Sequence, residues 1–160
     1  MADPIRRRIL LIDDDRAIRK AYARVLGEFY EVVEHSRGEE TLAALEGGER
    51  FDAILCDLMM PELTGMEVFE RIGRIAPDQT ERVIFMTGGA CTQGAGDFIP
   101  RVQTPCLEKP IALATLRSVV AAVASGSHRV RAGVGSEEGS GAEPPAVTSI
   151  GANAFVRSPS

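Results

Sequence analysis

Three apolar residues, Ile54-Leu55-Cys56, run directly into an acid, Asp57, and are followed by Leu58-Met59-Met60-Pro61 and a loop ending in Thr64-Gly65. A short apolar run bounded by turn residues reads as a strand buried on both faces, the kind found in a parallel sheet. An ionised carboxylate is unfavourable in such a place. Asp57 is therefore expected at the carboxyl end of the strand, where an open α/β sheet leaves a crevice for ligands. An Asp that merely caps a loop fits the local sequence equally well. The recurrence of acids, a Thr and a Lys at the ends of the other strand-like runs favours the crevice.

Ile9-Leu10-Leu11-Ile12 is a second continuous apolar run and ends in Asp13-Asp14-Asp15. Ala17, Ile18, Ala21, Tyr22, Val25 and Leu26 then recur at helical spacing and predict an inner helix face, with Gly27 as its terminator. Tyr30 to Val33 predicts a short edge or near-edge strand. Ser36-Arg37-Gly38-Glu39 has capping-box form, and Leu42 and Leu45 continue a helix that Gly47-Gly48 stops. Phe51 to Asp57 is the central strand. Thr64-Gly65-Met66-Glu67 is another capping-box pattern, opening a helix with Val68, Phe69, Ile72 and Ile75 inward and Pro77 at its close.

Val83-Ile84-Phe85-Met86 is a third buried run and ends at Thr87-Gly88-Gly89. Gly94, Gly96 and Pro100 oppose a helix between residues 90 and 102, so only a short or distorted one is expected around Asp97 to Val102. Cys106-Leu107 is a brief strand ended by Glu108-Lys109-Pro110. Leu113, Leu116, Val119, Val120 and Val123 mark the last amphipathic helix. Strands alternating with helices predict an α/β, doubly wound parallel sheet with right-handed crossovers, five strands and five helices within residues 1–124. From Ser125 to Ser160, Gly, Ser, Pro and Ala dominate and predict a disordered tail. Ile150 to Val156 is the stretch of that tail that could dock on a partner.

Composition narrows the function classes. The chain has 160 residues, enough for one ordinary domain, and its 44% apolar content fits a globular core. A net charge of −5 argues against a general nucleic-acid binder, which needs clustered Lys and Arg. Cys56, Cys91 and Cys106 have neither CxxC nor His spacing, which points to a reducing, cytoplasmic setting and away from disulfides or zinc. No apolar run approaches the length of a membrane span. Arg6 to Arg8 read as a solvated lead-in, followed by too few apolar residues for a signal peptide. His35 and His128 lack metal-ligand company and read as surface or turn residues. Met59 and Met60 read as packing and loop residues.

In a parallel sheet the strand ends share one edge, so Asp13, Asp14, Asp57, Thr87 and Lys109 should converge. Clustered carboxylates resist joint ionisation unless a cation compensates. Oxygen ligands at a partly open site suit Mg2+. Lys109 can supply further positive charge and Thr87 a hydroxyl donor, while backbone N–H groups after Asp57 and at Gly88 could cradle an oxyanion. These parts suit phosphoryl transfer to a carboxylate, with Asp57 as the nucleophile.

Leu10 to Asp15, Asp57-Leu58-Met59-Met60-Pro61 with Gly65, Met86-Thr87-Gly88 and Glu108-Lys109-Pro110 together resemble the receiver domain of two-component response regulators, over roughly residues 6 to 124. The later motifs are also similar to receivers at the ends of hybrid sensor kinases. The resemblance implies a flavodoxin-like (βα)5 sheet of order 2-1-3-4-5. It implies phosphoryl transfer to Asp57 from a histidine kinase or histidine phosphotransfer protein, and a change in binding to a downstream protein target. A homodimer formed on phosphorylation is compatible with it. By the same resemblance Asp14 would bind Mg2+ directly, Asp13 mainly through water, and Asp57 and the Met59 backbone carbonyl would complete the protein ligands. Thr87 and Gly88 would contact the phosphoryl group, Lys109 would pair with it, and the Lys109-Pro110 bond would be cis. Asp15 falls outside the acidic pair and reads as a helix cap.

One departure bears on signalling. Position 106, where the family usually carries Tyr or Phe that turns inward on activation, holds Cys106, too small for that rotor. With the weak fourth helix, this predicts that phosphorylation reorganises the Gly88 to Val102 segment. Two other readings compete: a pseudo-receiver that takes no phosphate and acts as an interaction module, and an enzyme that turns over an aspartyl phosphate. Haloacid-dehalogenase-type enzymes need an Asp two residues after the nucleophile, where this chain has Met59. No enzymatic activity beyond self-phosphorylation and slow dephosphorylation is therefore expected.

Overall fold

The computed structural model describes residues 5–89, 95–127 and 155–156. The strands are β1 (Arg8–Ile12), β2 (Glu31–His35), β3 (Ala53–Asp57), β4 (Val83–Thr87), β5 (Cys106–Glu108) and β6 (Phe155–Val156). The helices are α1 (Arg16–Leu26), α2 (Gly38–Glu46), α3 (Gly65–Ile75), α4 (Ala95–Val102) and α5 (Leu113–Ala124), with a 3-10 turn at Pro77–Arg82 before β4. The sheet is wholly parallel and ordered β2-β1-β3-β4-β5-β6. The expected order 2-1-3-4-5 is present, extended by β6.

Strand alternation splits the core into two layers. Leu10, Ile12, Ile54, Cys56, Val83, Phe85 and Cys106 pack toward α2, α3 and α4 with Leu42, Leu45, Val68, Ile72 and Phe98. Ile9, Leu11, Ala53, Leu55, Ile84, Met86 and Leu107 pack toward α1 and α5 with Tyr22, Leu26, Leu116, Val120 and Val123. The continuous apolar runs are thus strands covered on both faces.

Several sequence readings change on folding. Ala17 and Ala21 are exposed, so α1 buries only a narrow stripe centred on Tyr22 and Leu26. Strand β2 runs to His35 because its ladder with β1 continues to Ile12. His35 is half-buried there, its Nδ1 2.9 Å from Thr41 Oγ1, and is neither a free surface nor a turn residue. The Ser36 capping box does not form. Arg37 is the N-cap of α2 without a side-chain bond, and Ser36 instead donates from Oγ to Glu40 at 2.9 Å. Arg8 belongs to β1 and pairs with Glu31 and Glu49, unlike the free lead-in expected. Phe155 and Val156 form a strand within the segment expected to lack structure, and the rest of that tail beyond residue 127, with His128, lies outside the described residues. The capping box at Thr64 and Glu67 and the Asp15 cap form as expected, the latter accepting from the N–H groups of Ala17 and Ile18.

Gly65 holds the β3–α3 connection against the sheet. A Cβ there would meet the Asp57 carbonyl oxygen and lie 2.9 Å from Leu58 Cα, so no larger residue fits without moving the loop that follows Asp57. Its N–H donates to Leu58 O at 3.1 Å. Gly65→Ala is expected to lower stability by about 1–3 kcal/mol, as overpacking does. Gly89→Ala, where an added Cβ meets nothing within 4 Å, should stay within about 0.5 kcal/mol. Urea unfolding midpoints of the two variants check both.

Candidate functional site

Asp57 is the last residue of β3 and is 4% exposed, and Asp13, one residue beyond β1, is fully buried. The backbone extends the strand ladders past both ends: Asp13 N–H donates to His35 O at 3.2 Å, and Lys109 N–H donates to Thr87 O at 2.7 Å. By alternation Asp13, Asp57 and Lys109 continue the row of Leu11, Leu55 and Leu107 and emerge on the α1/α5 side. Thr87 continues the row of Val83 and Phe85 toward the other side. One sheet edge thus brings together residues from four strands.

The ammonium of Lys109 lies 2.7 Å from Asp13 Oδ2 and 3.5 Å from Asp57 Oδ2. Asp13 also accepts from Asp15 N–H at 2.9 Å, while Asp57 Oδ1 accepts from Met59 N–H at 3.2 Å. Asp14 is exposed at the same edge. One carboxylate oxygen from each of Asp13, Asp14 and Asp57 falls within 4.8 Å of the others, a spacing that a small divalent cation can bridge. Thr87, 4% exposed, donates its hydroxyl to Gly89 O at 3.1 Å. The Lys109-Pro110 peptide is cis, as the resemblance implies.

These groups line a cleft of about 720 Å³ whose walls also include Met59, Gly88 and Pro110. Ile18 and Tyr22 of α1 line it too, and sequence reasoning assigned them only to the core. Tyr22 is fastened in place: its hydroxyl accepts from Ile111 N–H at 3.4 Å. The missed signal was position, since Ile18 stands one helical turn beyond the Asp14–Asp15 loop. Cys106 does not reach the cleft lining. It is 2% exposed and stands opposite Phe85 in the ladder.

Burial is the main influence on Asp57 and pushes its carboxyl up to about 6. The Lys109 charge opposes that shift, Asp13 reinforces it, and the Met59 N–H opposes it. For Lys109, burial alone would lower the ammonium, but the hydrogen bond to Asp13 and the charges of Asp57 and Asp13 outweigh it and raise it. Burial, with Asp57 and Asp13 adding to it, pushes the neighbouring Cys56 thiol far up, so it stays protonated.

The raised Asp57 value has a definite sign. The folded state holds this proton more tightly than the unfolded state, so ionisation of Asp57 withdraws stability as pH rises from about 4 to above 6. Without divalent cation, Asp57→Asn is expected to stabilise the protein at pH 7.5 and to have little effect at pH 4. Chemical denaturation at the two pH values measures the difference, and equal effects at both would contradict the burial argument.

The response regulator receiver domain model matches residues 9–121. The response regulator MprA of Mycolicibacterium vanbaalenii is 33% identical over 101 residues, covering 59% of this chain and 43% of that protein. The 3',5'-cyclic-nucleotide phosphodiesterase regA of Dictyostelium discoideum is 33% identical over 120 residues, 73% of this chain and 15% of that protein. The chain therefore spans less than half the length of these curated relatives. Among solved structures, a CheY-like response regulator receiver domain protein from Methanospirillum hungatei JF-1 superposes with a TM-score of 0.66 at 28% identity, covering 75% of this chain and 94% of that one. With its strand order, its convergent strand ends and this match over most of its length, the chain belongs to the response regulator receiver family.

Proposed function

We propose that the domain accepts a phosphoryl group on Asp57 from a phosphohistidine of a histidine kinase or histidine phosphotransfer protein, and thereby changes its affinity for a downstream protein target. The observation that carries this reading is the Lys109 ammonium held between Asp13 and Asp57 in the lining of the cleft. A carboxylate oxygen of Asp57 would attack phosphorus. The P–N bond would break with its electron pair retained by the donor imidazole. Above about pH 6 the Asp57 carboxyl is mostly ionised and able to attack.

Bound Mg2+ would neutralise charge on the phosphoryl oxygens, held by Asp14, Asp57 and the Met59 carbonyl, with Asp13 acting through water. The Asp13, Asp14 and Asp57 oxygens within 4.8 Å of one another fit that ion. Lys109 offers the second positive charge, and the Thr87 hydroxyl and Gly88 N–H, in the same cleft lining, would serve as donors. Met59, 52% exposed, stands two residues past the acceptor and offers a thioether where an acid/base group would be needed for turnover. The proposed role is thus signalling, with slow self-dephosphorylation as the only hydrolysis. The buried thiol of Cys56 fits a reducing, cytoplasmic setting. No helix among the described residues is long and apolar enough to cross a membrane.

The output route proposed is the Gly88 to Val102 segment. Phe98 of α4 packs edge-on to Phe85 of β4 at 5.7 Å and to Phe69 of α3 at 5.8 Å between ring centroids. Phe85 is two residues from Thr87 and beside Cys106, so aromatic bulk absent from position 106 stands one strand away. Pro100 removes a backbone donor from the interior of α4, which leaves this helix more dependent on the core packing of Phe98 and Ile99. Hydrogen exchange of residues 95–102 should change on adding a phosphoryl analogue, and Phe98→Ala should raise exchange there beforehand. Unchanged exchange in both would remove this route.

Incubation with a small phosphodonor and Mg2+, read by intact mass, tests the function itself. A gain of one phosphoryl group, lost in Asp57→Asn and on chelation of the metal, is the expected result. No gain would make the domain a pseudo-receiver acting as an interaction module, and repeated turnover of donor would make it an enzyme.

A further inference from the structure

We propose that the outer edge of β5 is a strand-acceptor site, and that its occupant is the chain's own C-terminal segment at Phe155–Val156. This goes beyond the phosphoacceptor reading and does not depend on it.

The argument begins with the hydrogen-bonding directions along β5. Pro105 O accepts from Phe85 N–H, and Lys109 N–H donates to Thr87 O, so the backbone groups of 105 and 109 face β4. Alternation turns those of Cys106 and Glu108 to the opposite side of the strand. On that side lies β6, parallel to β5, with Cys106 opposite Phe155 and Leu107 opposite Val156. In this parallel register the backbone of Val156 stands between Cys106 and Glu108 and faces both.

An uncovered edge of this kind invites pairing with another chain. Strand β5 has only three residues, of which Cys106 and Leu107 are apolar and buried, and it leads directly into Lys109. The tail supplies a suitable cover. Phe-Val is a pair with high strand propensity within a stretch otherwise rich in Gly, Ser, Ala and Pro. A parallel crossover needs a dozen or more residues. Helix α5 and residues 128–154 give more than that, and they keep the segment at high effective concentration near the edge. A two-residue strand offers few ladder bonds, so it can be released. Any partner strand that docks on β5 must first displace the tail.

The test compares the full-length chain with its Val156→Pro variant, which lacks the N–H that the register directs at β5. Val147→Pro, elsewhere in the tail, is the control. Amide exchange at Cys106 and Glu108 is expected to quicken roughly tenfold in Val156→Pro and to stay unchanged in the control. In the wild type, protection at these amides should not vary over about a hundredfold range of protein concentration, since a tethered strand binds within one molecule. Equal exchange in Val156→Pro and wild type would overturn the proposal. Protection that falls on dilution, together with dimer in sedimentation, would also overturn it by assigning the edge to a second copy of the chain.

Discussion

One ammonium group holds the functional edge together. Lys109 reaches across the sheet to Asp13 and Asp57, which are nearly or fully buried and would otherwise face each other with uncompensated charge. Carboxylates this close repel each other unless a cation compensates. The acid cluster exists in this form because β5 delivers Lys109 beside it. The same contact ties the charge state of the cleft to the β4–β5 ladder, where the Lys109 N–H is anchored on Thr87 O.

Behind that ion pair, packing sets the position of Asp57. Asp57 ends a strand whose residues are buried throughout, and Gly65 brings α3 against the carbonyl of Asp57 itself. The carboxyl is presented to the cleft while its backbone stays inside the core. One residue is thus both deeply desolvated and part of the cleft lining, which it shares with Ile18 and Tyr22 of α1. Thr87 stands on the other side of the sheet's edge and continues the row of Phe85. A change at Thr87 is therefore aimed at the Phe69, Phe85 and Phe98 cluster and at α4.

Much of the fold was legible because its signals are local. Apolar runs at Ile9–Ile12, Ile54–Cys56 and Val83–Met86 have the length and flanks of doubly covered strands, and each became one. The Thr64 and Glu67 box formed because both partners lie within one helical turn. The Ser36 box failed because Arg37, not Ser36, takes the capping position once Gly38 packs against Leu63 and Val68. The burial of His35 escaped the sequence for a similar reason: the Thr41 hydroxyl that holds it sits on the next helix. Strand β6 escaped because two residues carry no periodicity, and only a partner edge gives them a conformation.

The sequence by itself determined the order of strands and helices, the residue type at the end of each strand, and hence the chemistry available at one edge. Those properties follow from hydrophobic spacing within a few residues of chain. The tertiary structure alone decided which of those groups touch, because Lys109 meets an acid 96 positions away only after the parallel order of the sheet is set. It also decided that Ile18 and Tyr22 wall the cleft and that the edge of β5 carries a sixth strand. Contacts between distant segments depend on how whole faces pack against one another, and no local pattern records that choice.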